Sequence, residues 1–255
     1  LQSRYGKKIV DHFTYVIAGD GCLMEGVSQE AITLAGKQEL NKLIVMWDDN
    51  NISIDGEVSI SDITDQQKRF ESAGWTVFSI NGHDPDEIDK ALTQAKKSSK
   101  PSMIACKTKI ALGVVGVENT AGGHGYNIKD QQLTQMREFY DWPYAKYEIP
   151  SDVKEAWLEI GSKGSEAREQ WELRLSNLSK SKQAEFHRVM NLDTPTKLSA
   201  AIKRLKREIS ESRPKMATRK SSQAALEVIN PIMQETIGGS ADLTGSNNTI
   251  TKGMK

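Results

Sequence analysis

The sequence predicts an α/β fold in which a parallel sheet carries helices on both faces, followed by a helical connecting region. Residues 13–18 and 43–47 are short apolar runs, each followed by a polar loop, as expected of buried parallel strands. Apolar residues between the runs recur near helical spacing, which makes the unit strand, loop, helix, strand. These residues are Val27, Ala31, Leu34, Ala35 and Leu40.

Two further strands and one helix continue this alternation. Residues 76–80 and 102–106 are the strand candidates. Between them, Asp84 offers an N-cap, Pro85 occupies the first helical position and Glu87 places an acid at the third, which predicts a helix to about residue 98. We expect the α/β layer to extend to about residue 128.

The second half of the chain is helical and charged. Residues 151–190 carry an apolar stripe, and a stripe at this spacing usually packs in a core. Residues 192–220 are predicted to be a connecting region with one basic helix, residues 203–207, whose cations face solvent. The stripe consists of Trp157, Trp171, Leu175, Leu178 and Phe186.

Composition limits the class of protein. The chain has 255 residues, enough for one or two domain cores. Lysine plus arginine equals aspartate plus glutamate at 34 each, so we expect neither nucleic acid nor a membrane as a partner. Two cysteines favour a reducing compartment over a disulfide scaffold. With no apolar run of transmembrane length and no signal peptide at the start, we expect a cytoplasmic protein.

Two polar loops follow the first two strands, at residues 19–26 and 48–52. Parallel sheets bind ligands at the carboxyl ends of their strands, and a right-handed crossover brings consecutive loops together. The glycines beside Asp20 let a phosphate approach, and a cation between carboxylate and phosphate removes their repulsion. Mg²⁺ prefers such oxygen ligands. Asp20, the amide oxygen of Asn50 and the carbonyl of Ile52 therefore predict a metal-bound diphosphate.

Four other interpretations of these two loops can be compared with the metal-bound diphosphate. Glycine and aspartate at residues 19–21 also suit an ordinary turn. A dinucleotide fingerprint fails because its third glycine falls at Met24. An EF-hand starting at Asp49 fails because its sixth residue is Ile54. A phosphoacceptor pocket built on the acids at 48 and 49 remains open, although it leaves residues 19–21 unexplained.

The motifs G-D-G-x-x-x-E-G and D-D-N-N-I resemble those of thiamine-diphosphate enzymes, and residues 19–56 are similar to transketolase. The resemblance extends to residues 9–15, 107–125 and 219–248. It implies the thiamine-diphosphate-binding fold. It also implies three segments: a diphosphate-binding domain (1–190) without its N-terminal part, a helical linker (191–218) and the truncated start of a pyrimidine-binding domain (219–255).

The resemblance implies thiamine diphosphate and Mg²⁺, or Ca²⁺, as cofactors. Asp20, Asn50 and Ile52 match the protein ligands of the metal, and the backbone of Gly21 matches a contact to the diphosphate.

Two glutamates match acids that connect the paired active sites of a homodimer. Glu25 is implied in cofactor binding and catalysis, and Glu30 in the same chain of carboxylates. For Glu30 a structural role competes, because an acid in the first turn of a helix stabilises its dipole by about 0.3–1 kcal/mol.

His124, in Gly122-Gly123-His124-Gly125, matches a histidine that reaches both the cofactor diphosphate and the substrate. An imidazole with an ordinary pKa near 6.5 donates to phosphate and exchanges protons near neutral pH. The alternative is a surface histidine in a glycine-rich turn.

Three residues near the end of the chain match contacts of the second domain. Arg219 and Ser246 match residues that hold the substrate phosphate, and guanidinium groups suit phosphate oxygens. Asp242 matches a residue near the cofactor across the dimer interface. Gly245 stands where the family usually has proline. The alternative for Arg219 is an ordinary linker cation.

The implied activity is transfer of a two-carbon ketol unit from a ketose phosphate to an aldose phosphate, in the pentose phosphate pathway, by a homodimer. Two alternatives remain. One is a related thiamine-diphosphate enzyme, such as dihydroxyacetone synthase or a 2-oxo acid dehydrogenase component, although Arg219 and Ser246 favour sugar phosphates. The other is a non-catalytic diphosphate-binding module. Because the glutamate that activates the cofactor has no counterpart, we expect residues 1–255 alone to be inactive.

Overall fold

A four-stranded parallel sheet organises the first part of the chain in the computed structural model, which describes residues 1–125 and 127–254. The strand order is β1-β2-β6-β5, and β3 and β4 form a separate two-stranded hairpin. The predicted α/β fold is confirmed. The strands are β1 (Thr14–Gly19), β2 (Leu43–Asp49), β3 (Ile52–Ser53), β4 (Gly56–Glu57), β5 (Thr76–Asn81) and β6 (Ser102–Lys107).

The four predicted strands match β1, β2, β5 and β6, and each observed strand extends one or two residues further toward its carboxyl end. The extensions are polar, for example Asp48 and Asn81. Backbone pairing continues past the last apolar residue, with Gly19 beside Asp48 and Asn81 beside Lys107. Polar side chains are therefore held at the edge of the sheet by ladder hydrogen bonds.

Helices cover both faces of the sheet, as predicted. Val45 and Met103 point into a core that also contains Ile32 and Phe70. Ile44 and Ile104 point to the other face and pack with Ala91 and other residues of a second core. The helices of this part are α1 (Gln2–Tyr5), α2 (Asp20–Met24), α3 (Gly26–Lys37), α4 (Gln66–Ser72), α5 (Pro85–Ala95) and α6 (Asp130–Phe139).

Two details of the first crossover differ from the prediction. The segment at residues 19–21 is not a plain loop, because Asp20 opens the five-residue helix α2. In α3 the buried residues are Ile32, Ala35 and Gly36, whereas Val27 and Leu34 of the predicted stripe are exposed. Periodicity located this helix correctly, but it did not identify which apolar face the sheet covers.

Helix α5 begins as predicted. The Asp84 carboxylate accepts hydrogen bonds from the backbone N–H groups of Asp86 at 2.9 Å and Glu87 at 3.2 Å, satisfying donors that lack partners inside the helix. The helix ends at Ala95, three residues before the predicted end.

Gly36 lies where α3 meets the end of α4, and we predict that Gly36→Ala destabilises the protein. A Cβ there would be 1.8 Å from the carbonyl oxygen of Ala73, so the backbone must move, at a cost of about 1–3 kcal/mol in unfolding free energy. Urea denaturation measures this cost.

The matched control for that prediction is Gly161→Ala. Gly161 lies in a helix, and a Cβ there would meet no heavy atom within 4 Å. It should gain about 0.5–1 kcal/mol, the usual advantage of alanine over glycine. Shifts of the same sign in both variants would contradict the packing assigned to Gly36.

The chain divides into two compact units, Leu1–Ser162 and Lys163–Lys255. In the second unit Trp171 packs near Phe186, with ring centroids 5.9 Å apart, and Leu175 and Phe186 are buried. Trp157 does not belong to this core, because it is 71% exposed. The predicted basic helix is longer than residues 203–207. The remaining helices are α7 (Ser151–Ser176), α8 (Lys180–Met190), α9 (Thr196–Ser212), α10 (Thr218–Ile229) and α11 (Thr244–Asn247).

Arg188 joins two parts of the second unit. Its guanidinium donates to Glu185 at 2.8 Å and to Glu235 at 2.9 Å, and these bonds raise its pKa further. Within residues 1–125 and 127–254, every helix is too short or too polar to cross a bilayer.

Candidate functional site

The two polar segments after β1 and β2 lie side by side at the carboxyl edge of the sheet. Gly19 pairs with Asp48 in the parallel ladder, so Asp20 and Asp49 continue from neighbouring positions. Asp20 is the first residue of α2, with Gly19 as its N-cap. The crossover therefore places these segments together, as the sequence predicts.

Asp20 is the most confined charged side chain at this edge. It is 8% exposed, and its Oδ1 accepts a hydrogen bond from Nε1 of Trp47 at 3.0 Å. Its Oδ2 is buried and has no hydrogen-bond partner among the described residues. The pKa of Asp20 is raised, mainly by burial and also by the Asp49 and Asp48 charges, against the lowering effects of the Trp47 hydrogen bond and of the backbone N–H of Asn51. The buried oxygen thus lacks the positive partner that it needs.

Asn50 is held in a fixed orientation. Its Oδ1 accepts from the backbone N–H of Ile52 at 2.9 Å, and its Nδ2 donates to Oδ2 of Asp48 at 3.1 Å. Asn51 adopts φ of +62° between them, a conformation that asparagine tolerates better than most residues. Because an amide oxygen has two lone pairs, Oδ1 of Asn50 retains capacity for a further partner.

The acids preceding Asn50 are bonded to the last residue of β6 and to the residue that follows it. Thr108 donates its hydroxyl to Oδ1 of Asp48, and Nζ of Lys107 lies 3.2 Å from Oδ1 of Asp49. Burial raises the pKa of the Cys106 thiol, and the negative charges of Asp48 and Asp49 raise it further. Both acids therefore have structural partners that set the position of the Asn50 turn.

His124 contacts the same turn from a distant part of the chain. It ends a 3₁₀ helix, Ala121–His124, and its Nε2 lies 3.0 Å from the carbonyl oxygen of Ile52. Since a carbonyl only accepts, Nε2 carries the proton in this arrangement. His124 and Ile52, both predicted site residues, are thus in direct contact.

The oxygens at this edge suit a hard divalent cation shared with a phosphate. No group of three or more histidine, cysteine, aspartate or glutamate side chains in the described part of the chain is arranged to hold a metal ion. A cation here would instead use one carboxylate, neutral amide and carbonyl oxygens, and oxygens of a bound ligand, as Mg²⁺ often does. A Cβ at Gly19 or Gly21 would meet nothing within 4 Å, which leaves room for that ligand.

The two predicted glutamates are both exposed. Glu25 is exposed between α2 and α3. Glu30 is exposed too, and it is not in the first turn of its helix, because α3 begins at Gly26. The dipole explanation for Glu30 is therefore wrong, since that effect falls off within the first turn.

Three predicted residues lie in the second unit: Arg219 and Ser246, predicted at the substrate phosphate, and Asp242, predicted near the cofactor. Arg219 is an exposed second residue of α10. Ser246 lies in α11, where its carbonyl accepts from Nδ2 of Asn248 at 3.2 Å. Asp242 is exposed just before α11.

Sequence reasoning missed two residues that support the site, Trp47 and Thr108, and it named Asp48 only in the motif and as an alternative phosphoacceptor, not as a partner of Asn50. From the sequence alone, Trp47 is only the last apolar residue of its predicted strand. The available signal is its position: it precedes the acidic pair, and in a parallel ladder with β1 it sits beside Ala18, two residues before Asp20. A ring N–H at that position can reach the carboxylate.

Comparison with known proteins relates the chain to one family. Residues 2–195 match the family model described as transketolase, thiamine diphosphate binding domain. The chain is 51% identical to a transketolase of Rhodobacter capsulatus, over all of this chain and 38% of that protein. It is 39% identical to transketolase 1 of Escherichia coli, over 99% of the chain and 39% of that protein.

Solved structures agree. The transketolase of Campylobacter jejuni superposes with a TM-score of 0.83 at 34% identity, over all of this chain and 39% of that chain. A complex of Pichia stipitis transketolase with sedoheptulose 7-phosphate gives 0.80 at 33% identity, over 94% of this chain and 36% of that chain. The chain thus spans roughly two fifths of the length of these relatives.

Proposed function

Because the chain belongs to the transketolase family, we propose that its first unit binds thiamine diphosphate through a divalent cation, Mg²⁺ or Ca²⁺. One observation carries the proposal: a buried carboxylate oxygen of Asp20 without a hydrogen-bond partner among the described residues, at the strand ends where parallel sheets bind ligands. The cation would be held by Asp20, the amide oxygen of Asn50 and the carbonyl of Ile52. The backbone of Gly21 would contact the diphosphate.

The complete protein, in this proposal, transfers a two-carbon ketol unit between sugar phosphates. Thiamine diphosphate, when bound, supplies the carbon nucleophile and the electron sink that cleavage of a carbon–carbon bond requires. The chain's own residues would bind the cofactor and the substrate, orient them, and exchange protons with the substrate. The Pichia stipitis transketolases solved with sedoheptulose 7-phosphate and with xylulose 5-phosphate support sugar phosphates as the substrate class.

His124 would act at two places in that reaction. Its Nε2–H already faces the Ile52 carbonyl, beside the proposed diphosphate position. From there an imidazole can donate to a phosphate oxygen or exchange a proton with a sugar hydroxyl near neutral pH. A carbonyl oxygen has two lone pairs, so Ile52 can accept from His124 and still face a cation.

The exposed glutamates belong to the proposed homodimer. Glu25 and Glu30 would join a chain of carboxylates between paired sites, and Glu25 would reach the cofactor. Ile17, Val27 and Leu34 are exposed apolar residues of β1 and α3, and burying them against a second subunit would be favourable. In the second unit, Arg219 and Ser246 would hold the substrate phosphate, and Asp242 would lie near a cofactor across the interface.

The proposal places the enzyme in the cytoplasm and in the pentose phosphate pathway. Cys22 and Cys106 are both unpaired, which suits a reducing compartment.

A coupled assay of the complete protein tests the proposed activity. With a ketose phosphate donor and an aldose phosphate acceptor, turnover should require added thiamine diphosphate and Mg²⁺ and should be lost on chelation. The related enzymes provide the contrast: turnover with a 2-oxo acid donor and none with sugar phosphates would reject ketol transfer. Cofactor binding without turnover on either donor would favour a binding module.

A further inference from the structure

Trp47 makes a buried polar contact that its place in the core does not require. The side chain is 8% exposed and packs with Ala18 and Leu23 in the first core. Its Nε1–H nevertheless points at the Asp20 carboxylate, with a distance of 3.0 Å to Oδ1. The two residues are 27 positions apart in sequence, so the contact is created by the fold and not by a local turn.

The strand register explains the contact. Trp47 pairs with Ala18 in the parallel ladder, and side chains two residues apart point to the same face of a strand. Asp20 follows Ala18 by two residues, directly after the end of β1, and its Oδ1 lies 3.0 Å from Nε1 of Trp47. The indole then spans from β2 to the beginning of α2.

The hydrogen bond makes the two oxygens of Asp20 unequal. A carboxylate rotates easily about its last torsion, and without a fixed partner either oxygen could face the cation. Trp47 engages Oδ1, while Oδ2 is buried with no hydrogen-bond partner in the described parts of the chain. The bond therefore selects which oxygen remains available.

We propose that Trp47 is a positioning residue of the cation site: its indole N–H holds Oδ1 of Asp20 so that Oδ2 faces the metal. This inference rests on the proposed metal site, and it adds a residue that acts through Asp20. Hydrogen-bond partners of metal ligands typically contribute 10–100-fold to metal affinity. Trp47 should contribute about the same factor.

The test is calorimetric titration of Mg²⁺ into the complete protein with thiamine diphosphate present. Trp47→Phe removes the N–H and keeps an aromatic ring, and we expect it to weaken Mg²⁺ binding by about 10–100-fold. Trp47→His keeps a ring N–H at the equivalent position, because imidazole corresponds to the five-membered ring of indole. It should bind Mg²⁺ more tightly than Trp47→Phe.

Trp75 provides a matched control in the same core. It is 5% exposed, and its Nε1–H donates to the backbone carbonyl of Ile32 at 2.9 Å. Trp75→Phe therefore removes a comparable buried hydrogen bond that does not involve Asp20. Both phenylalanine variants should lose unfolding free energy measured without metal, but only Trp47→Phe should lose Mg²⁺ affinity.

The outcomes separate this inference from the metal site itself. Unchanged Mg²⁺ affinity in Trp47→Phe, together with lost affinity in Asp20→Ala, would overturn the role of Trp47 alone. Equal weakening in Trp47→Phe and Trp75→Phe, or in Trp47→Phe and Trp47→His, would show that core packing is responsible and would also overturn it. Unchanged affinity in Asp20→Ala would reject the metal site and this inference with it.

Discussion

Asp20→Ala is expected to abolish metal-dependent binding of thiamine diphosphate in the complete protein. The substitution removes a strand-end carboxylate that is buried with an oxygen lacking a partner among the described residues, leaving only the neutral oxygens of Asn50 and Ile52. Two neutral oxygens hold a hard divalent cation more weakly than a set that includes a carboxylate, the protein ligand that Mg²⁺ usually takes beside phosphate oxygens. Calorimetry with the cofactor and Mg²⁺ together should show no cooperative binding, whereas the native protein should show it.

Asp62→Ala is the matched control for that experiment. Asp62 lines the same 260 Å³ cavity as Asp20, but its oxygens accept from the Thr64 backbone and from Gln66. Removing this carboxylate lowers the local negative charge without removing the proposed ligand, so cofactor affinity should change little. Native cofactor affinity in Asp20→Ala would refute the metal assignment. Equal losses in both variants would point to local charge alone.

Arg219→Ala is expected to raise KM for phosphorylated sugars by roughly 10–100-fold in the complete enzyme, which corresponds to about 1.5–3 kcal/mol of charge-assisted hydrogen bonding. Arg219 lies at the second position of α10, where helix N–H groups also favour anions. Steady-state kinetics with phosphorylated and unphosphorylated substrates distinguish phosphate binding from other roles. If Arg219 binds phosphate, only the KM for phosphorylated substrates should rise.

Lys220→Ala tests whether any cation at this position has the same effect. Lys220 is the next residue, and its Nζ lies 3.3 Å from Oε1 of Gln223, a side chain of its own helix. We expect its KM values to stay near native. Losses of the same size for phosphorylated and unphosphorylated substrates in Arg219→Ala would show that Arg219 acts structurally.

The strands could be predicted from sequence because each is a short apolar run closed by polar residues. Burial on both faces of a parallel sheet produces such runs, and β6, with four buried residues, shows the pattern clearly. The cap of α5 was equally accessible, because Asp84 and Pro85 act through local backbone geometry. Interactions between residues close in sequence were therefore enough to predict both the strands and the start of α5.

Elements that depend on tertiary contacts were not accessible in the same way. Of the residues with helical spacing, Ala35 is buried but Val27 and Leu34 are exposed, and Ile32, outside that pattern, is buried instead. Trp157 fits the apolar stripe of α7 and remains exposed. The period of apolar residues predicts that a segment is a helix, but it does not determine which side of the helix is buried. That depends on packing against residues far apart in sequence.

The candidate site shows the same division. Asp20, Asn50 and Ile52 are recognisable because glycines, acids and amides follow two consecutive strands in a pattern that few other kinds of site share. The contacts that arrange them join distant positions: Trp47 with Asp20, Thr108 with Asp48, and His124 with Ile52. The sequence motifs predict which oxygens would bind the cation, whereas the register of the sheet determines which other residues position them.

The most direct test is anomalous diffraction from crystals of the complete protein grown with thiamine diphosphate and Mn²⁺, which takes the oxygen ligands that Mg²⁺ prefers. The cation peak should be bound by the Asp20 carboxylate, the amide oxygen of Asn50 and the carbonyl oxygen of Ile52, together with diphosphate oxygens. A bound cofactor with its cation held by other protein residues would contradict the account.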